Sequence, residues 1–305
     1  MNRVVKAHLA LLIVNFIYGA NFTIVKSVQE AHIPPFALVL LRAFSSMTLF
    51  WLTSFFVAHE KIERKDFIKV MMLGVFGVAL NQLLFIKGLY QTTPINASII
   101  MMFNPAIVML IEIIFLNAKA LPMRVAGIVM GIFGTSVLLL FGNAISAHTG
   151  DVMVLINCIS WGIYLVMVKP LMIKYKTVTI VKWVFAFGTI YVLPFGWPEA
   201  RIFDPSHVSI VSWICIGYVV VASTYIAYFL NTYALAELSP SIASTYIYLQ
   251  PIIAAAIAIY LKKEELDWIK VTSAVLVIVG IYLVSLSRKQ ERNNIKALTK
   301  DEETR

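Results

Sequence analysis

The chain has 305 residues, of which 60% are hydrophobic and only 13% are charged. A soluble globular protein carries about 25% charged residues and needs more polar surface than this to stay in solution. The net charge of +9 does not indicate a nucleic-acid partner, because the basic residues lie in short segments between apolar runs and in the C-terminal tail. The composition therefore predicts an integral membrane protein embedded in a lipid bilayer.

Ten apolar stretches follow one another along the chain. A membrane-crossing helix needs roughly 20 apolar residues, at 1.5 Å per residue, to pass about 30 Å of hydrocarbon. The pattern predicts an all-α integral membrane protein with ten transmembrane helices, at residues 8–26, 36–57, 68–89, 95–116, 124–141, 151–168, 178–195, 212–231, 241–261 and 268–286. The segment 288–305 is polar and is predicted to be a disordered tail.

The distribution of basic residues predicts the orientation of these helices. With the N terminus placed in the cytoplasm, most Lys and Arg residues fall in cytoplasmic segments, as the positive-inside rule requires. The second and sixth loops carry much of this bias: Lys61, Arg64, Lys65, Lys69, Lys169, Lys174, Lys176 and Lys182. We therefore expect a multi-pass protein of the cell (inner or plasma) membrane with both termini cytoplasmic.

The two halves of the chain resemble each other. Tyr18-Gly19 matches Trp161-Gly162, and Asn104-Pro105 matches Gln250-Pro251. The prediction is a first repeat at 1–143 and a second at 144–287. Because each repeat holds five helices, an odd number, the second repeat enters the membrane from the opposite face. Such inverted repeats are typical of secondary transporters, although duplication also occurs in membrane proteins that transport nothing.

These features resemble the EamA family of the drug/metabolite transporter superfamily. The motifs are the two aromatic-Gly pairs with Lys26 and Lys169 after them, Arg42 after Pro35, the Asn-Pro and Gln-Pro pairs, and Glu264. The first repeat has Ala118 where the counterpart of Glu264 would stand, and carries Glu112 instead. The resemblance implies a ten-helix fold around a central cavity, and export of amino acids or other metabolites.

A substrate site is expected near the bilayer midplane. Tyr18, Trp161, Pro105 and Pro251 each lie about ten residues into a predicted helix, or roughly 15 Å deep. A proline there frees a backbone carbonyl, which is tolerated where protein or a wet cavity satisfies it. We therefore interpret Pro105 and Pro251 as helix breaks that help in gating. The alternative is that they only kink helices for packing.

Aromatic and amide side chains recur at helical spacing on several of these helices. Amides facing lipid would stay unsatisfied, so these faces must point inward. Their role is either interhelical hydrogen bonding or substrate binding. The predicted binding residues form an aromatic cage with amide groups: Tyr18, Asn21, Gln82, Asn104, Trp161, Tyr164, Tyr228 and Gln250.

A few charged and small residues inside the spans allow two interpretations each. Glu112 is either an interfacial carboxylate or a proton-coupling group. Arg42 and Lys87 either extend to the outer surface or form an anion-attracting vestibule. A stripe of Gly127, Gly131 and Gly134 indicates close helix packing, either within the fold or in a homodimer.

Three classes of function remain open. The favoured one is a secondary transporter for a small molecule, an amino acid or related compound, working by alternating access; a non-amino-acid carrier such as a nucleotide-sugar-type transporter is the runner-up. A membrane enzyme is disfavoured because no HExxH or Ser/His/Asp set is present, and a receptor or scaffold because no sizeable extramembrane domain is visible. Cys158 and Cys215 lack metal-ligand spacing, so neither a metal nor a cofactor is predicted.

Overall fold

The computed structural model describes residues 2–57, 60–92, 97, 100–117, 121–140, 149–250, 252–253, 256, 268, 271–272, 275–284 and 286. Within these ranges the regular structure is entirely helical. The helical elements are α1 (Arg3–Glu30), α2 (Pro35–Ser54), α3 (Arg64–Gln91), α4 (Asn104–Leu116), α5 (Pro122–Leu140), α6 (Thr149–Lys174), α7 (Thr177–Ala200), α8 (Ile210–Glu237), α9 (Pro240–Thr245) and α10 (Val275–Val284).

Six of the described helices are long and apolar enough to cross a membrane. They are Arg3–Asn21 of α1, α2, α3, α6, α7 and α8. The helices α4 and α10 and the Pro122–Gly134 part of α5 are apolar but shorter. The multi-pass architecture is thus confirmed, whereas the number of ten spans stays a prediction. Both α6 and α8 extend several residues past the predicted ends, since a helix continues into the interface beyond the hydrocarbon.

Two of the long helices are interrupted by a π-helical turn. It covers Val75–Ala79 in α3 and Val221–Ile226 in α8. These are the third helices of the two repeats, and the turns occupy corresponding positions. A π-turn widens the helix and shifts its hydrogen-bond ladder, so that backbone carbonyls become available to other groups. The repeat is therefore visible in an irregularity of the backbone that apolar periodicity does not predict.

The fourth helix of each repeat contains an irregular segment. A turn at Met102–Phe103 precedes α4, and the 3₁₀ segment Tyr246–Tyr248 follows α9 before helical geometry resumes at Leu249. Pro105 lies in the first turn of α4, where a missing N–H is tolerated. Pro105 thus follows an irregular turn, and its expected role as a helix break in gating stays a prediction. Pro251 and Glu264 lie outside the described residues.

The contacts between helices follow the repeat. A contact made by a helix of the first repeat has a counterpart made by the corresponding helix of the second repeat. The helix α1 packs on α8, and its counterpart α6 packs on α3. The second helices, α2 and α7, pack on each other, and α4, in the fourth helix of the first repeat, packs on α9, in the fourth helix of the second. Every one of these contacts joins one repeat to the other. The interior of the protein is therefore an interface between repeats.

The glycines of α5 serve packing within the chain. A Cβ on Gly127 would lie 2.6 Å from the carbonyl oxygen of Gly280 in α10, and one on Gly131 would overlap the ring of Tyr248. Any larger side chain at either position would separate α5 from its neighbours. Of the two interpretations of the glycine stripe, close packing within the fold therefore applies to Gly127 and Gly131.

Polar contacts connect the ends of neighbouring helices at both ends of the protein. At one end, Lys174 Nζ lies 2.6 Å from Glu63 Oε1. The hydrogen bond from Lys174, and then the one from Lys65, hold the pKa of the Glu63 carboxyl below its ordinary value. At the other end, Glu199 Oε2 accepts from the backbone N–H of Phe36 at 2.6 Å. The Glu199 carboxylate thus binds backbone N–H groups in the first turn of α2, which have no partner within the helix and lie at its positive end.

Candidate substrate cavity

A cavity of about 90 Å³ lies between the two repeats. That volume holds several water molecules or part of a small solute. Helices from both repeats line it, so a movement of one repeat against the other would change its shape. The lining residues are Val14, Asn15, Tyr18, Asn21, Arg42, Asn81, Phe85, Met101, Asn104, Asn157, Trp161, Leu165, Tyr228, Asn231, Ala243, Ser244, Ile247 and Gln250.

One wall of the cavity is a packed group of aromatic rings. Trp161 meets Tyr228 edge to face, with ring centroids 5.3 Å apart, and stacks on Tyr164 at 5.0 Å. Phe185 supports the far side of Tyr228 at 5.0 Å. Contacts of this kind add stability beyond apolar burial and restrict ring rotation. The rings facing the cavity, Trp161 and Tyr228, are therefore held in fixed positions.

The π-turn of α3 anchors this wall. The Tyr228 hydroxyl donates to the carbonyl oxygen of Gly77 at 2.7 Å, and Ser160 donates to the carbonyl oxygen of Phe76 at 2.7 Å. These carbonyls belong to the π-turn, where the hydrogen-bond ladder is shifted. A Cβ on Gly77 would overlap the Tyr164 ring. The irregular turn and its glycine together bring α3 close to the aromatic side chains of α6 and α8.

Amide side chains supply the polar part of the lining. Gln250 Nε2 donates to Asn15 Oδ1 at 2.9 Å, which joins α1 to the segment after α9. In contrast, the Oδ1 atoms of Asn21, Asn104 and Asn231 have no hydrogen-bond partner among the described residues. All three are buried. A buried unpaired acceptor is unfavourable, so these three amides are suited to receiving hydrogen bonds from a bound solute.

Arg42 brings a positive charge to the same cavity. Its side chain is 4% exposed, and its Nε donates to Thr224 Oγ1 at 3.0 Å. Thr224 lies in the π-turn of α8. Among the described lining residues Arg42 is the one with a charged side chain. The expectation that this residue extends to the outer surface is therefore wrong, because Arg42 turns inward and is held by α8.

Glu112 lies away from the cavity lining. It is 3% exposed, accepts a hydrogen bond from Ser241, and lies 3.5 Å from Arg124 Nη1. This contact joins α4, α5 and α9. Burial within the protein is compatible with both interpretations of Glu112, the interfacial carboxylate and the proton-coupling group. Lys87, the other cation considered for a vestibule, lies over the ring of Phe36 with its Nζ 5.6 Å from the centroid.

The structure brings most of the predicted binding residues to one place. Six of the eight line the cavity: Tyr18, Asn21, Asn104, Trp161, Tyr228 and Gln250. Gln82 and Tyr164 lie one layer behind it. Gln82 donates to the Tyr228 hydroxyl at 3.4 Å, and the Tyr164 hydroxyl is 2.8 Å from Thr232 Oγ1. These two support the lining and do not form it.

Sequence reasoning left Arg42 and Asn231 out of the site. A signal for Arg42 was available, since an ionisable residue inside a membrane helix marks a functional site by default. Nothing in the local sequence distinguished Asn231 from other amides of the spans. Its inward position depends on how α8 rotates about its axis after the π-turn.

Comparison with known proteins identifies the family of the chain. The EamA-like transporter family matches residues 5–140 and 148–286, one match for each repeat. The chain belongs to this family. It is therefore a membrane-embedded transporter protein, and the family implies a small-molecule substrate.

Individual relatives agree with the family assignment. An uncharacterized transporter of Archaeoglobus fulgidus is 26% identical over 93% of this chain and 99% of its own length. A probable terminal-alkyne amino-acid exporter of Streptantibioticus cattleyicolor is 23% identical over 74% of this chain and 77% of its own. A protein known from its crystal structure has a TM-score of 0.71 with 17% identity, covering 93% of this chain and 97% of that one. The last similarity concerns the fold alone.

Proposed function

We propose that this EamA-family protein is a secondary transporter that exports an amino acid or a closely related metabolite by alternating access. The observation that carries the proposal is the cavity between the repeats, where fixed aromatic rings lie beside buried amides with unpaired oxygens. Aromatic rings accept the apolar part of a solute and amides orient its polar end. The similarity to a probable terminal-alkyne amino-acid exporter supports this choice of substrate class.

The packing of the helices supports alternating access as the mechanism. Contacts that are exchanged between the repeats offer two nearly equivalent arrangements, one open to each side of the membrane. The irregular segments near Phe103 and Tyr246 lie in the fourth helix of each repeat. Such breaks are places where a helix bends with little loss of hydrogen bonding. In this proposal the two repeats are inverted and both termini are cytoplasmic.

The proposal is tested by uptake and counterflow of labelled amino acids in proteoliposomes, with and without a pH gradient. We expect a saturable flux that unlabelled substrate competes away, and none in protein-free vesicles. UDP-glucose serves as the probe for the runner-up, and we expect no flux because its diphosphate would bring two negative charges to a cavity whose described lining has one cation, Arg42. Flux of UDP-glucose without amino-acid flux would reverse the choice.

The cage itself is tested by Tyr18→Ala, Trp161→Ala and Tyr228→Ala in folded protein. We expect each variant to lose at least about tenfold in transport efficiency, since each removes a large contact surface. Ile190→Ala is the matched control, because Ile190 is 60% exposed on α7 and does not line the cavity. If all three cage variants transport normally, the binding site lies elsewhere.

Glu112 is the proposed coupling group. Protonation of its carboxylate would remove the attraction to Arg124 that holds α4 against α5. A proton could thus loosen the contact between helices of the first repeat. Glu112→Gln mimics the protonated state, and we expect it to abolish the dependence of flux on a pH gradient. A variant that keeps the wild-type pH dependence removes Glu112 from the mechanism.

A further inference from the structure

The guanidinium of Arg42 has hydrogen-bonding capacity that the described residues leave unused. Its Nε is satisfied by Thr224, but its Nη1 has no hydrogen-bond partner among the described residues. The residue is nine-tenths buried or more and lines the cavity. A desolvated cation is unfavourable unless it is paired with an anion. Something other than the described protein groups is therefore needed to complete its surroundings.

We infer that Arg42 binds the carboxylate of the transported solute. This inference rests on the proposed transport function and names the chemical group that the site recognises. A guanidinium presents parallel N–H donors that match the two oxygens of a carboxylate. With Nε held by Thr224, Nη1 is left without a partner among the described residues, on a side chain that lines the cavity. The Thr224 contact thus orients the donors before a solute arrives.

The charge of the cavity favours a carboxylate over a phosphate. The described lining residues include no acidic side chain and one cation, Arg42. A carboxylate balances that charge, whereas a phosphate monoester carries about −1.5 to −2 at neutral pH and would leave an excess of negative charge in the membrane. The amide oxygens of Asn21, Asn104 and Asn231 line the same cavity, have no partner among the described residues and are free to accept hydrogen bonds from a solute. Together these groups fit a zwitterion with an ammonium group.

The binding experiment compares matched compounds on purified protein in detergent. The probes are L-alanine, L-leucine and L-phenylalanine, each with its carboxamide and its decarboxylated amine, and affinities are measured by calorimetric titration. We expect at least one acid to bind roughly tenfold to hundredfold more tightly than its amide and its amine. Glycerol 3-phosphate is the phosphate probe, and we expect it not to compete. Equal affinities, no binding of any acid, or stronger binding of glycerol 3-phosphate overturns the inference.

Variants then assign the preference to Arg42. Arg42→Gln is expected to bring the affinities for acid and amide to within about threefold, while Arg42→Lys keeps a smaller preference because the charge remains but the planar fork is lost. Lys87→Gln is the matched control, because it removes a cation that lies over Phe36 and does not line the cavity, and it is expected to retain the preference. If Arg42→Gln does not fold, Arg42→Lys decides, and an unchanged preference in either folded variant contradicts the inference.

Flux measurements separate this inference from the transport proposal. Selective binding of the acids without flux in proteoliposomes would leave the carboxylate site in place and contradict the transport function. Flux of an amino acid together with its amide at equal efficiency would support transport and contradict the role of Arg42. The two failures are therefore distinguishable in one set of preparations.

Discussion

Arg42 and Arg124 are two buried arginines of this membrane protein with opposite surroundings. Arg124 is 2% exposed and lies against the carboxylate of Glu112, so its charge is balanced by the protein. Arg42 is 4% exposed, lies beside a cavity and has a threonine hydroxyl as its side-chain partner among the described residues. The comparison teaches that burial alone does not give a charged residue its role. The counterion decides whether the charge stabilises the fold or is available to a ligand.

The largest expected difference between the two sites is in stability. We expect Arg124→Met to lower the free energy of unfolding by about 3–5 kcal/mol, because Glu112 would be left as a buried charge without its counterion. Arg42→Met is expected to be neutral or stabilising, since it removes a desolvated charge and leaves no anion behind. Unfolding in mixed micelles, followed by far-ultraviolet circular dichroism, measures both.

The double variant Glu112→Met/Arg124→Met is the control for this comparison. With both charges gone, most of the loss should be recovered, because apolar side chains of similar size replace the pair. A loss of several kcal/mol in Arg42→Met as well would show that Arg42 is structural, and the distinction between the two arginines would disappear.

A smaller effect is expected from the hydroxyl that holds Arg42. Thr224→Val removes the acceptor of a charged donor, and we expect a loss of about 1.5–3 kcal/mol. Thr232→Val on the same helix removes a neutral partner, the one 2.8 Å from the Tyr164 hydroxyl, with an expected loss of about 0.5–1.5 kcal/mol. The same unfolding measurement compares them. Equal losses would show that the contact between Arg42 and Thr224 is no stronger than a neutral hydrogen bond.

The smallest effect is expected where the paired charges face water. Glu63 is 49% exposed in its ion pair with Lys174, and Glu63→Gln should lower the unfolding midpoint only slightly. Because the folded pKa of Glu63 lies below its ordinary value, its contribution is present above that ordinary value and is lost as pH falls through the folded pKa. High salt should also remove it, since the Debye length is about 3 Å at 1 M. A difference that persists in high salt would mean that the pair is shielded from solvent.

The sequence by itself determined the class of the protein, its repeat and six of the residues that line its cavity. Apolar stretches of spanning length follow from the thickness of the bilayer, so they are readable without any tertiary contact. The pairs Tyr18-Gly19 and Trp161-Gly162 pointed to the cavity because two copies of one motif mark the same place in each repeat. Asn104 and Gln250 were found for the same reason.

Only the tertiary structure decided which way individual side chains point. Successive residues of a helix are about 100° apart, so Asn81 lines the cavity while its neighbour Gln82 lies behind it, and Leu165 lines the cavity while Tyr164 lies behind it. The π-turns at Val75–Ala79 and Val221–Ile226 change that rotation within a single helix. The environment of Arg42 depends on α8, and that of Glu112 depends in part on α9, and both helices are distant in sequence from these residues. The partners of these two residues therefore could not be identified from the sequence without the packing of the helices.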